Sequence, residues 1–190
     1  MDMEIEAKLK VDSLDEVEAR LRDLGGEFVA SQDQRDLQFD DVDGTMARTD
    51  QCLRLRRQVA SGKTQYILTY KGPKAQSDVK ERREVEVEVD SDQAAEDILA
   101  ALGYEAKLTV EKTRRLWRLG DCEVALDSLE LLGDFVEIEG PDSRRIVAVQ
   151  ESLGLGDLSH VACSYAGMIC AKLRTGDCGS VGDGEQGAGL

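Results

Sequence analysis

Aromatic residues are scarce in this chain. Three Phe, four Tyr and one Trp make up 4% of 190 residues. No platform for stacking bases stands out, and Tyr66, Tyr70 and Trp117 read as packing residues. Histidine occurs once, at His160. A His-rich zinc site is therefore excluded, and a Ser-His-Asp or Cys-His device would rest on that one residue. No nucleophile motif surrounds it, so it reads as a loop residue. The five cysteines (Cys52, Cys122, Cys163, Cys170, Cys178) form no CxxC pair. This excludes a zinc ribbon and a thioredoxin-type motif, and reduced thiols are expected. No apolar run approaches the ~18 residues of a membrane span. The acidic opening Met1-Asp2-Met3-Glu4 lacks the basic and apolar segments of a secretory signal, so a cytoplasmic location is expected. There is no GxxxxGK[ST] loop, which rules out a Walker-type phosphate site. Basic residues are also in deficit: 24 Lys and Arg against 39 Asp and Glu give a net charge of −15. Neither nucleic acid nor an anionic membrane is an expected partner. A metal would have to be held mostly by carboxylates, which selects Mg2+ or Mn2+.

What is present is a pattern repeated three times: a strand, an Asp-Ser cap, a helix and a glycine stop. The copies run from Glu4 through Ser13 to Gly25, from Glu84 through Ser91 to Gly103, and from Phe135 through Ser143 to Gly154. Ser13 and Glu16 fit a capping box. Leu14, Val17, Leu21 and Leu24 share one helical face. Ile98, Leu99 and Leu102 are the expected core positions of the second helix, and Ile146, Val149 and Leu153 those of the third. Further strands are expected near 35–40, 51–59, 64–71, 109–118 and 121–128, separated by turns such as Asp43-Gly44, Ser61-Gly62 and Gly120-Asp121. The total is about eight strands in a largely antiparallel sheet, with three or four helices. The domain is expected over 1–173 and a Gly-rich disordered tail over 174–190.

Alternation along the strands sorts the charges. Glu4, Glu6, Lys8 and Lys10 share one face, opposite Ile5, Ala7, Leu9 and Val11. Glu84, Glu86 and Glu88 oppose Val85, Val87 and Val89. Arg54 pairs with Arg56, Lys112 with Arg114, and Glu137 with Glu139, in each case on one face. A sheet with one wet face accounts for the alternation. It accounts less well for neighbouring charges of like sign, which repel without a counter-ion. A sheet rolled into a barrel with its charges inside explains both. Arginine forks and lysines would grip phosphate oxygens, and carboxylates would hold divalent ions that bridge them.

These residues resemble a known family. Glu4-x-Glu6-x-Lys8 is similar to the signature of the CYTH superfamily, the triphosphate tunnel metalloenzymes. Cys52-Leu53-Arg54-Leu55-Arg56, Leu68-Thr69-Tyr70-Lys71-Gly72-Pro73 and Arg83-Glu84-Val85-Glu86 match its next strands in order. Leu102-Gly103-Tyr104, Val110-Glu111-Lys112-Thr113-Arg114, Leu126-Asp127 and Leu132-Gly133-Asp134-Phe135-Val136-Glu137-Ile138-Glu139 follow, then Ser164-Tyr165. The resemblance spans about residues 3–172 and is nearest to the class IV adenylyl cyclase branch. It implies an α+β fold, a closed eight-stranded antiparallel β-barrel (the triphosphate tunnel) with helices packed outside. It implies Glu4, Glu6, Asp127, Glu137 and Glu139 as ligands for Mg2+ or Mn2+. Lys8, Arg54, Arg56, Lys71, Lys112 and Arg114 would bind the triphosphate, with Lys8, Arg54, Arg56 and Arg114 acting in catalysis. Glu84 and Glu86 would orient basic groups or join a second metal site. Many relatives carry a basic residue beside the Ser-Tyr motif; Val161-Ala162-Cys163 supplies none here, and Lys172 is either its substitute in binding the triphosphate or an exposed residue at a helix end.

Three functions follow from the resemblance. One is a class IV-like adenylyl cyclase that converts ATP to cyclic AMP and pyrophosphate. The second is a phosphohydrolase of inorganic or organic triphosphates, of the tripolyphosphatase or thiamine-triphosphatase kind. The third is a non-catalytic nucleotide- or polyphosphate-binding module. The expected partner is a nucleoside triphosphate or inorganic triphosphate, and by analogy with relatives a homodimer is expected.

Overall fold

The computed structural model describes residues 3–73 and 80–176. Its strands are β1 (Met3–Lys10), β2 (Glu27–Asp40), β3 (Cys52–Ala60), β4 (Lys63–Lys71), β5 (Lys80–Val89), β6 (Glu105–Leu119), β7 (Cys122–Leu129) and β8 (Gly133–Glu139). The helices are α1 (Leu14–Asp23), α2 (Thr45–Arg48), α3 (Asp92–Ala101), α4 (Ser143–Ser152) and α5 (Tyr165–Gly176). All strand pairs are antiparallel, in the order β1-β5-β4-β3-β2-β6-β7-β8. Pairing of β8 back onto β1, with Lys8 opposite Glu137, closes the barrel. Closure removes every sheet edge. The α+β barrel expected from the sequence is thus the observed architecture.

The repeated caps act as the sequence implies, with one shift. Ser13 accepts the amide of Glu16 at 3.4 Å and Ser91 that of Ala94 at 3.2 Å. In the third copy Asp142 is the cap, taking the amide of Arg145 at 2.9 Å, and Ser143 becomes the first helical residue. The stops Gly25, Gly103 and Gly154 have φ of 76°, 90° and 72°, the left-handed region that ends helices.

Two apolar clusters pack on the outside of the barrel. Leu9, Val124, Leu126, Val136 and Ile138 meet α1 and α4 through Leu21, Ile146 and Leu153. Leu37, Phe39 and Leu55 meet α3 through Ala95 and Leu99. Ile98 and Leu102 are 61% and 68% exposed, contrary to the expected core assignment. The helix docks along the narrower Ala95–Leu99 line, which turns those two side chains to the surface. Leu24, at the end of the α1 face, is also exposed. A third cluster of Val110, Leu129, Phe135, Tyr165 and Ile169 seats α5 against one end of the barrel.

Strand β2 is far longer than expected, beginning at Glu27, and a short helix, α2, follows the expected Asp43-Gly44 turn, with Gly44 at its N-cap. Helix α5 continues to Gly176, three residues into the expected tail; residues 177–190 lie outside the described residues. Among the described residues no helix is long and apolar enough to cross a membrane. Cys52, Cys122, Cys163 and Cys170 are free thiols, and Cys178 lies outside the described residues.

Candidate functional site

The inward strand positions enclose a cavity of about 410 Å3. It is lined by Glu6 and Lys8 of β1, Asp36 and Gln38 of β2, Cys52, Arg54 and Arg56 of β3, and Lys71 of β4. Arg82, Glu84 and Glu86 of β5, Lys112 and Arg114 of β6, Glu123 of β7 and Glu137 and Glu139 of β8 complete the charged lining. The alternation that placed charges on one face of each strand has therefore put them inside.

Each cation sits against a fixed carboxylate. Asp36 receives Arg56 Nε and Nη2, both at 2.7 Å, with Arg54 Nη1 at 3.8 Å. This planar fork holds the Arg56 guanidinium in one orientation. Arg54 Nη2 also donates to Thr69 Oγ1 at 3.0 Å and Glu86 Oε1 at 3.1 Å, and Thr69 donates to the same Glu86 oxygen at 2.7 Å. Lys71 pairs with Glu84 at 3.0 Å. Lys8 pairs with Glu137 at 3.1 Å, and Arg114 also reaches Glu137.

Asp127 lies behind this lining with no exposed surface. Its Oδ1 accepts Arg114 Nε at 2.6 Å. Its Oδ2 accepts Lys112 Nζ at 2.8 Å, Arg114 Nη2 at 2.6 Å and the Tyr165 hydroxyl at 2.9 Å. The Tyr165 ring carries Lys8 Nζ 3.8 Å and Lys112 Nζ 4.8 Å from its centroid. The start of α5 thus supports two basic side chains of the barrel interior.

Burial and charge act in opposition on these groups. For Asp36, burial alone would raise the pKa. The Arg56 hydrogen bond and the charges of Arg54, Arg56 and Lys112 outweigh it and hold the carboxyl at about 2. Burial likewise opposes ionisation of Asp127, and Arg114 and Lys112 outweigh it. Lys112 is brought down to about 8, first by burial and then by the Arg114 charge, against the pull of Asp127 and Glu137. A carboxyl depressed in the folded state stabilises the fold above its unfolded value of 3.8, and that contribution is lost as pH falls towards 2. Asp36 is therefore expected to contribute about 2 kcal/mol at pH 7. Denaturant titrations at pH 7, 4 and 2.5 should show this loss, reduced in Asp36→Asn.

The sequence expectations fall as follows. Glu6, Lys8, Arg54, Arg56, Lys71, Glu84, Glu86, Lys112, Arg114, Glu137 and Glu139 converge on the one cavity. The side chain of Glu4 lies outside the described residues. Asp127, expected as a metal ligand, is buried and paired with Lys112 and Arg114. Lys172 does not reach the cavity; it is exposed and donates to the Leu131 carbonyl, because its place on α5 faces the β7–β8 turn. The additional basic lining residue is Arg82, which shares the face of Glu84 and Glu86. Asp36 also went unassigned in the sequence, although its alternation with Gln34 and Gln38 places it on a shared face. His160 bridges Leu9 outside the barrel and pairs with Gln150 at 2.8 Å, as befits a loop residue.

Glu6, Glu139 and Glu123 stand directly opposite one another across β1, β8 and β7. Three carboxylates in one row are an oxygen donor set suited to a hard divalent cation. Among the described residues no three acidic, His or Cys side chains are already gathered as a metal cluster.

A closed antiparallel barrel lined by paired cations and carboxylates defines the triphosphate tunnel fold. The CYTH domain model matches residues 2–165, and the chain belongs to that family. It is 32% identical over 137 residues to a candidate adenylate cyclase of Methanocaldococcus jannaschii, covering 72% of this chain and 76% of that protein. It is 32% identical over 136 residues to the adenylate cyclase CyaB of Aeromonas hydrophila, covering 71% and 67%. The solved structure of the PH1819 protein of Pyrococcus horikoshii superimposes with a TM-score of 0.77 at 30% identity, over 89% of this chain and 99% of that one.

Proposed function

We propose that this chain is a divalent-metal-dependent enzyme acting on a triphosphate, in the first place as an adenylyl cyclase forming cyclic AMP and pyrophosphate from ATP. The observation that carries the reading is Arg54. Its guanidinium lines the cavity, yet its buried Nε has no acceptor. A buried donor without a partner is costly, and a phosphate oxygen is the acceptor that suits it.

Charge balance supports metal dependence. The lining basic groups Lys8, Arg54, Arg56, Lys71, Arg82, Lys112 and Arg114 are matched in number by Glu6, Asp36, Glu84, Glu86, Glu123, Glu137 and Glu139. Such a cavity has no net positive charge with which to draw in a bare polyanion. Glu6 and Glu139, with Glu4 and Glu123, would hold Mg2+ or Mn2+; bound there, the ion supplies charge neutralisation and Lewis acidity at the phosphates. Arg54, Arg56 and Lys112 would fix the phosphate oxygens, with their own positions set by Asp36 and Asp127. Lys8 and Arg114, tied to Glu137, would face charge developing on the leaving group. The ribose 3′-oxygen would attack the α-phosphorus as its proton passes to solvent water. The bond from that phosphorus to the bridging oxygen breaks, and pyrophosphate leaves.

Hydrolysis of the same triphosphate is the second reading, since the basic walls serve water as well as a ribose oxygen. A Hippeastrum protein of this fold, 19% identical with a TM-score of 0.69, is described as a candidate adenylyl cyclase with a dominant triphosphatase activity.

Product analysis separates the two. ATP, GTP, inorganic triphosphate and thiamine triphosphate are incubated with the protein and Mg2+ or Mn2+. Cyclic AMP with pyrophosphate is the expected outcome; orthophosphate would establish the hydrolase, and no turnover with either metal would defeat both. Joint replacement Glu4→Ala and Glu6→Ala should abolish turnover, and survival of activity would overturn the metal assignment.

A further inference from the structure

The cavity's cations gather on two arcs of the barrel. Lys8, Lys112 and Arg114, on β1 and β6, surround Asp127 and Glu137. Arg54, Lys71 and Arg82, on β3, β4 and β5, surround Cys52. Cys52 stands opposite Lys71, and Lys71 opposite Glu84. Arg54 lies one inward position along β3 from this row, and Arg82 one along β5 on the other side. Burial pushes the Cys52 thiol up, and the charges of Arg54, Lys71 and Arg82 oppose it, which places all three guanidinium and ammonium groups about one point.

Arg82 differs from the rest in how it is paired. It is 9% exposed. Lys8, Arg54, Lys71, Lys112 and Arg114 each have a carboxylate oxygen within 3.1 Å. Among the described residues the carboxylate facing Arg82 is Asp50, with Nη2 and Oδ1 3.8 Å apart and the Asp50 side chain half exposed. A wet carboxylate at that distance is screened and compensates a buried guanidinium poorly. Phosphate oxygens offer that guanidinium closer, paired acceptors.

We propose that Arg82 is a phosphate-binding residue that selects three linked phosphates over two. A triphosphate held by Lys8, Lys112 and Arg114 extends to the second arc and takes the Arg82 guanidinium from Asp50, whereas a pyrophosphate is held by one arc alone. The selection rests on the triphosphate reading of the cavity and adds chain length to it. Pyrophosphate is a product under either the cyclase or the hydrolase reading, so the same selection favours its release.

The test is calorimetric binding of inorganic triphosphate and of pyrophosphate, each with Mg2+, to the full chain, to Arg82→Gln and to Asp50→Asn. The unaltered protein is expected to bind triphosphate at least about tenfold more tightly than pyrophosphate. Arg82→Gln should weaken triphosphate by about 10- to 100-fold, the range for a hydrogen bond to a charged group, and leave pyrophosphate within about twofold. Asp50 has a φ of 54°, which asparagine also adopts. Asp50→Asn therefore removes the competing carboxylate without straining the loop, and should bind triphosphate at least as tightly as the unaltered protein. A purely structural Arg82–Asp50 pair requires the reverse, with both variants losing alike. Should Arg82→Gln fail to fold, Arg82→Lys carries the same comparison, since it keeps the charge without the planar fork. Equal losses for the two ligands, undiminished triphosphate binding, or an Asp50→Asn loss matching that of the Arg82 variant would overturn the proposal. Equal affinity of the unaltered protein for both ligands would overturn the selection alone. If neither ligand binds it, the triphosphate reading falls and takes the selection with it.

Discussion

Asp127→Ala is expected to lower the unfolding free energy by about 3–5 kcal/mol, the range for breaking a buried ion pair from one side. Both Asp127 oxygens are engaged, by Lys112, by both arms of the Arg114 fork and by the Tyr165 hydroxyl. Removing the carboxylate leaves Lys112 at 3% and Arg114 at 17% exposure without their shared counter-ion. It also detaches Tyr165, through which α5 is fastened to the barrel. A loss of this size is a large part of the stability of an ordinary domain. Asp127→Asn should behave similarly, because an amide turns one donor towards donors. Denaturant unfolding at pH 7 in the presence of a chelator provides the measurement. A full loss in chelator identifies a counter-ion; a loss seen only with added Mg2+ would restore Asp127 to the metal ligands.

Arg54→Ala is expected to reduce kcat/KM by about 10²- to 10³-fold, as for loss of one preorganised donor at a site of developing charge. The fold should survive it, because Asp36 keeps the two closer bonds from Arg56 and Glu86 keeps its bond from Thr69. Arg54→Lys should recover only a small part. A lysine restores the charge but not a planar group that can hold Thr69 and Glu86 while presenting Nε to a phosphate. Steady-state kinetics with matched unfolding curves checks this, and near-normal turnover would remove Arg54 from the substrate wall.

The sequence and the barrel agree where one strand face is apolar. β1 alternates Ile5, Ala7, Leu9 and Val11 against charge, and its inward residues were legible for that reason. β2 was only half legible. Its inward positions Gln32, Gln34, Asp36 and Gln38 alternate with Ser31, Asp33 and Arg35, so its first half has polar groups on both faces and no hydrophobic period. That half pairs with β6 over nearly its whole length. Asp127 shows a different limit. Its alternation puts it on the inward face, but only register shows that Arg114 stands directly opposite as its ion-pair partner. For Lys172 the choice between substitute and exposed helix end depends on how its helix packs. The helix that bears it packs through Tyr165 and Ile169, which leaves the lysine on the outside.

The net charge of −15 argued against extended polyanions from the start. The structure refines the point, since acids balance bases even within the cavity that would hold a phosphate chain. The most direct measurement is a titration of inorganic triphosphate into the protein by calorimetry, with Mg2+ and again in chelator. Stoichiometric binding with Mg2+, weakened at least about tenfold in chelator, is predicted. Equal affinity in chelator, or no binding in either condition, would contradict the account.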